Sequence, residues 1–243
     1  MKVAACQVPD IRDDVPHALS VVKAMASEAS KEGADLVLFP ECFLQGYFTD
    51  PSSVERLAIG LGSPAFGAVL DELSALDGSV VVVVGLIEAD ARGFYNTAVV
   101  IQNGTLLGRY RKTHLLGSEK AAFTPGAEYP VFEAAGTRFG INICYDLNFQ
   151  AATDALSVQG AQALVCPCNN MLPWGTAQKY KTLHNPIRAQ RAKAAGVWLV
   201  SSDVTGEREG RISYGPTAFI DPNGAVVAQV PLGSVGTVMM DVT

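Results

Sequence analysis

The sequence predicts a single α/β domain, spanning residues 1–243, built from two mixed β-sheets with helices on their outer faces. Three observations carry this. Each half of the chain runs in the same order: short apolar strand, helix, second short strand, then a hairpin-rich portion. No flexible linker separates the two series. Finally, 49% of the 243 residues are apolar and only 17% are charged, which allows a sizeable buried core.

Lys2 to Val8 reads as a buried strand. Asp13-Asp14 precede a helix whose apolar positions Val15, Ala18, Leu19, Val22, Met25, Ala26 and Ala29 form a 3.6-residue stripe ending at Gly33. Ala34 to Phe39 is too short for a helix and completes a βαβ unit ending in Pro40-Glu41. A Gly/Pro/Asp/Ser-rich loop runs to Ser53, and a helical pattern follows to about Leu76. Val80–Glu88, Tyr95–Gln102 and Leu106–Arg111 are strands; Ala91-Arg92-Gly93 and Asn103-Gly104 mark antiparallel turns between them. Lys112 to Pro130 is a polar loop long enough to suggest a functional role. The second series reads as strand Thr137–Ile143, helix Asn148–Gln159, strand Ala163–Pro167, helix Thr176–Ala195 and strand Val197–Ser202. A hairpin across Asp221-Pro222-Asn223-Gly224 and a strand Val235–Met240 close the chain.

A formal net charge of −6, with no Lys/Arg cluster, argues against nucleic-acid binding. The longest apolar run, Val80 to Ile87, is too short to span a bilayer, so no membrane association is expected. Met1-Lys2-Val3 leads straight into a strand pattern, without an export segment. Five cysteines without framework spacing point to reduced thiols and a cytoplasmic location. Cys166-Pro167-Cys168 has no partner pair and does not make a zinc site.

Cys144 lies where a strand gives way to a helix, a position that exposes a thiol near helix N–H groups favouring its thiolate. Glu41 and Lys112 each follow a strand, and Glu119 lies in the loop beyond Lys112. Each alone reads more readily as a solvated loop or strand-end charge. Together they make chemical sense around a thiol: a carboxylate can take its proton, and a fixed ammonium can stabilise the oxyanion formed when a carbonyl or nitrile carbon is attacked. His114 and His184 read as structural, and Arg188, Arg191 and Lys193 as a solvated helix face or an interface.

The chain resembles the nitrilase superfamily of carbon–nitrogen hydrolases. The resemblance rests on Cys144-Tyr145-Asp146-Leu147-Asn148-Phe149, Pro40-Glu41 with Gly46-Tyr47, Tyr110-Arg111-Lys112-Thr113-His114-Leu115, and Glu119 six residues before Pro125-Gly126. It extends through Val3-Ala4-Ala5-Cys6-Gln7, Tyr95-Asn96-Thr97-Ala98 and Ile220-Asp221-Pro222-Asn223-Gly224. It implies a four-layer αββα sandwich, a homodimer or higher homo-oligomer, a small-molecule substrate, and neither metal nor cofactor. It assigns Glu41 as general base, Cys144 as the nucleophile that forms a thioester, Lys112 as holder of the oxyanion, and Glu119 as an aid to substrate position or proton balance.

Gln150-Ala151 stand where this family commonly has Pro-Glu, Asn148 where Arg is common, and Ala194-Ala195 where an acid or Asn is common. The first two departures border the nucleophile and bear on substrate fit. Tyr145-Asp146 is similar to the amidase and carbamoylase branches, whereas nitrile hydrolysers more often carry Trp-Glu. Tyr47, Tyr145, Asn169, Asn170 and Trp174 are the expected substrate-binding residues, with Trp174 as an apolar wall. Three rival readings remain: nitrile hydrolysis, acyl transfer to an amine, and a non-catalytic binding relative.

Overall fold

The computed structural model describes residues 1–76 and 79–242. Its first half runs β1 (Lys2–Pro9), α1 (Val15–Lys31), β2 (Leu36–Leu38), α2 (Pro51–Leu57), β3 (Ile59–Gly60), α3 (Pro64–Leu73), β4 (Val81–Asp90), β5 (Gly93–Gln102) and β6 (Thr105–Arg111). β7 (Val131–Ala134), β8 (Thr137–Ile141), a 3₁₀ turn (Cys144–Asn148), α4 (Gln150–Ser157), β9 (Ala163–Pro167), β10 (Leu172–Pro173), α5 (Trp174–Tyr180) and α6 (His184–Ala195) follow. The chain ends with β11 (Trp198–Ser202), β12 (Val204–Arg208), β13 (Arg211–Tyr214), β14 (Ala218–Ile220), β15 (Val226–Gln229) and β16 (Gly236–Asp241).

Two mixed sheets form. One is ordered β10-β13-β12-β1-β2-β4-β5-β6, with β16 added on β1 and β3 on β4; the other is β15-β14-β11-β9-β8-β7. Strand alternation assigns each side chain to a layer. In β1, Val3 and Ala5 pack between the sheets against Phe139, Ile141, Val165, Val200 and Phe219. Ala4, Cys6 and Val8 face the other way, toward Leu19, Val22 and Ala26 of α1 and Phe66 and Val69 of α3. In β9, Ala163 and Val165 join the inter-sheet core, while Leu164 and Cys166 meet Leu156 of α4 and Ala192 of α6. Three apolar clusters thus separate four layers, the expected αββα sandwich.

Local signals account for most element ends. Asp14, Asp50 and Ser63 cap α1, α2 and α3 through their side chains, and each helix has Pro at its first or second position. Asn103 and Gly104 both adopt positive φ (49° and 66°), the two-residue hairpin turn their sequence implies.

Several elements differ from expectation. The helical pattern before Leu76 is two helices, α2 and α3, separated by β3, which pairs with the outer end of β4. The helix expected over 176–195 is also two, α5 and α6. β7 and the β12–β13 hairpin had no clear sequence signal, because β7 is only four residues long and the hairpin strands are largely polar and alternate weakly. The strand before Cys144 ends at Ile141, because the Asp146 carboxylate accepts the Ile143 N–H (2.9 Å) and folds the backbone into the 3₁₀ turn.

Candidate active site

Glu41 follows β2 on a tight turn that presses against the middle of β4. A Cβ on Gly85 would come within 2.3 Å of Cys42 N and 2.4 Å of Pro40 O, so only glycine lets the turn lie there. The contact is sealed by Gly85 N–H to Pro40 O (3.1 Å) and Leu44 N–H to Gly85 O (3.1 Å). Lys112 leaves the end of β6 with its N–H on Asn96 O (2.8 Å). Glu119 is held in its loop by the Leu116 N–H on Oε2 (2.7 Å).

Residues distant in the chain converge here. Lys112 Nζ donates to Glu41 Oε1 (2.7 Å) and to Glu119 Oε1 (2.9 Å). Asn96 Nδ2 donates to the same two oxygens, at 2.7 and 3.1 Å. Glu41 Oε2 accepts the Asn169 N–H (3.0 Å). All four side chains are buried. The Asn96 Oδ1 atom has no hydrogen-bond partner among the described residues.

Cys144 stands at the start of the 3₁₀ turn with φ +43°, a conformation L residues seldom adopt. Asp146 over-determines it: its carboxylate also accepts Tyr110 Oη (2.8 Å), Thr113 Oγ1 (3.0 Å) and the His114 N–H (2.8 Å). Asp146 thereby ties the Cys144 turn to the strand that delivers Lys112. Cys144 is half-buried and lines a cavity of about 280 Å³ with Tyr145, Asn170, Leu172, Tyr180 and Arg188.

The electrostatics follow from this packing. Burial would pull the Lys112 ammonium down, yet Glu41 and Glu119 outweigh it and hold it well above the ordinary lysine value. Burial raises Glu41; the Glu119 charge adds to the rise, and Lys112 and Asn96 offset only part of it. A hydrogen bond to Cys168, then burial, then the charge of Glu41 keep the Cys144 thiol well above its usual value. At rest the sulfur is therefore a thiol, beside a fixed cation and a carboxylate whose proton affinity is raised toward it.

Of the expected residues, Glu41, Lys112 and Glu119 form one buried cluster, and Tyr145 and Asn170 line the cavity with Cys144. Asn170 Oδ1 lies 4.0 Å from Cys144 Sγ, and its N–H is held by Asp203 Oδ1 (2.9 Å). Tyr47 is half-buried beside the charges of Lys112, Glu41 and Glu119 but does not line the cavity. Asn169 serves Glu41 through its backbone and accepts the Met171 N–H on its own side chain.

Trp174 corrects the expectation of an apolar wall. It is 57% exposed and lies outside the cavity, whose wall is made by Leu172, Thr176 and Tyr180. On α5, position 174 is turned about 200° from Thr176, and hence away from that wall. Arg188 corrects another: it is buried, donating to Ser201 Oγ (2.9 Å), Pro216 O (2.7 Å) and Cys168 Sγ (3.1 Å). Arg191 is half-buried and ties down Leu147 O (2.7 Å); Lys193 alone of the three is exposed. His184 lines the cavity, and burial followed by the Arg188 charge pulls its pKa down to about 3.

Sequence reasoning assigned no role to Asn96, Asp203 or Cys168. A polar Asn96 inside an otherwise buried strand was the available signal; Asp203 and Cys168 offered none.

Fold and site together define an αββα hydrolase with a cysteine, a lysine and two glutamates. The carbon–nitrogen hydrolase family profile matches residues 2–243. A nitrilase from Pyrococcus abyssi is 33% identical over 211 residues, 86% of this chain and 77% of that protein. An (R)-stereoselective amidase from Pseudomonas sp. is 30% identical over 228 residues, 93% of this chain and 80% of its own. A cysteine-to-alanine mutant of the Nesterenkonia AN1 amidase, from the nitrilase superfamily, superposes with a TM-score of 0.83 at 25% identity, covering 100% of this chain and 90% of that one. This chain belongs to the carbon–nitrogen hydrolase family.

Proposed function

We propose that this protein hydrolyses the non-peptide C–N bond of a small linear amide or N-carbamoyl compound through a thioester on Cys144. The observation that carries this reading is the buried Glu41–Lys112–Glu119 cluster beside the cavity-lining thiol. Substrate entry brings the carbonyl carbon to Cys144 as Glu41 takes the thiol proton. Sulfur attacks, and the Lys112 ammonium supports the oxyanion. Glu41 returns the proton to the departing nitrogen, which leaves as ammonia or an amine. Water, deprotonated by Glu41, then opens the thioester and releases the acid. Glu119 keeps Lys112 charged and in place, and Asn96 holds the two carboxylates together.

Tyr145 and Asn170 position the substrate, with Tyr47 and Asn169 supporting the acidic side of the site. The amidase relative and Tyr145-Asp146 favour amide over nitrile substrates. Intact-mass spectrometry on a panel of ω-amides, N-carbamoyl amino acids, N-carbamoyl amines and nitriles tests the reading. An acyl adduct on Cys144 that clears in water supports hydrolysis. Clearance only by added amines would assign acyl transfer, absence of any adduct a binding role, and turnover of nitriles alone a nitrilase.

The proposal also includes a homodimer in the reducing cytoplasm. Five free thiols favour that compartment, and the exposed Val226 and Val227 on β15 offer apolar surface for association. Light scattering and cell fractionation test the two. Among the described residues, no helix is long and apolar enough to cross a membrane.

A further inference from the structure

Hydrolysis as derived above makes no use of Cys168, yet this residue is built into the site. Cys144 packs against the apolar cluster that contains Cys168, and both residues line the same cavity. Arg188, which lines that cavity too, donates from Nη2 to Cys168 Sγ at 3.1 Å. The Cys168 backbone is fixed by its N–H on Ser202 O (2.8 Å) and by its carbonyl accepting the Glu41 N–H (3.2 Å). Two thiols therefore face one cavity, with a buried guanidinium placed to support negative charge on the one that is not the nucleophile.

We propose that Cys168 is a resolving thiol, closing a reversible Cys144–Cys168 disulfide when a peroxide oxidises the active-site sulfur. The inference rests on the reading of Cys144 as a nucleophile that Glu41 can ionise. The thiolate attacks one oxygen of the peroxide, the O–O bond breaks, and Cys144 becomes a sulfenic acid as the other oxygen leaves as water or an alcohol. Cys168, its developing charge held by Arg188, attacks the sulfenic sulfur. The S–S bond forms, the S–O bond breaks, and the departing hydroxide takes the Cys168 proton and leaves as water. The peroxide is reduced and two thiols are oxidised, so the balance closes with no other reagent.

Cys166 is not the resolving group. Its sulfur is 3.5 Å from that of Cys168, but it is fully buried in the layer beneath α6 and does not line the cavity. The disulfide blocks the nucleophile and spares it from over-oxidation to the sulfinic acid, which thiol reductants do not reverse.

The test is peptide mass mapping of the purified protein after hydrogen peroxide, alongside activity before and after dithiothreitol. In the unmodified protein, activity is lost, the Cys144 and Cys168 peptides are recovered joined with loss of two hydrogens, and dithiothreitol restores turnover. In Cys168→Ala, Cys144 gains two oxygens and dithiothreitol restores nothing. Cys166→Ala retains the cross-link. Over-oxidation of Cys144 in the unmodified protein without a cross-link overturns the proposal, as does a bond found only between Cys166 and Cys168. Turnover by Cys144→Ala would instead overturn the nucleophile reading, which the cross-link map by itself does not decide.

Discussion

Replacing Lys112 by methionine isolates the charge at the centre of the site. The change keeps an unbranched apolar stem and removes hydrogen bonds of 2.7 Å to Glu41 and 2.9 Å to Glu119. Charge-assisted bonds of this kind contribute about 1.5–3 kcal/mol each. Breaking a buried pair by deleting one partner costs about 3–5 kcal/mol. Both routes put the destabilisation of Lys112→Met near 3–5 kcal/mol at neutral pH. The two remaining carboxylates then share Asn96 with no cation, so Glu41, already raised, rises further. A protonated buried carboxyl relieves the repulsion, so the folded variant binds a proton that the unfolded chain releases. Its stability therefore increases as pH falls toward the unfolded glutamate value of about 4.3 and is lost as pH rises through the folded one. Turnover falls by ~10²–10³ through loss of the oxyanion donor. The acid limb of the activity profile moves to higher pH, since the base must be ionised. Urea unfolding across pH, paired with kcat/KM on an amide, reads both effects. A near-normal rate with an unshifted acid limb would refute the role given to Lys112.

Other substitutions test the remaining parts. Cys144→Ala should abolish turnover while leaving the unfolding free energy within about 1 kcal/mol of the parent, since one small half-buried group replaces another; turnover above background would remove Cys144 as nucleophile. Gly85→Ala forces a methyl group onto the Pro40–Cys42 backbone, where it should cost about 1–3 kcal/mol and lower kcat more than it raises KM. Unchanged kinetics would show that the Glu41 turn tolerates displacement. Asp146→Ala leaves the Ile143 and His114 N–H groups and the Tyr110 hydroxyl without their acceptor, for a loss of at least about 2 kcal/mol in chemical unfolding. Burial raises Asp203 to about 6 from an ordinary 3.8, so stability falls by about 3 kcal/mol as pH rises through that window; Asp203→Asn should flatten the slope in pH-dependent unfolding.

Much of the architecture was legible because layers impose periodicity. The stripe of α1 and the short continuous apolar runs of β1, β2 and β9 mark a helix packed on buried strands, and that pattern can be read without coordinates. Asn103-Gly104 and the Pro-bearing helix starts were equally plain, since each encodes a local backbone preference. The β12–β13 hairpin escaped because a polar strand has little alternation; the break between α5 and α6 did carry a signal, Pro186 in the first turn of α6, which the single helix expected over 176–195 passed over.

The sequence by itself determined the layered fold and the chemical types of the reacting groups, because both are carried by local pattern and by short motifs. Only the tertiary structure decided which groups share a charge. Glu41 and Lys112 lie 71 positions apart, and nothing local records that they meet at 2.7 Å or that Asn96 joins them. Nor does a helical pattern reveal that Arg188 turns inward to a sulfur while Trp174 turns out to water. The direction of a side chain from a helix depends on what packs against that helix, and those partners come from distant strands.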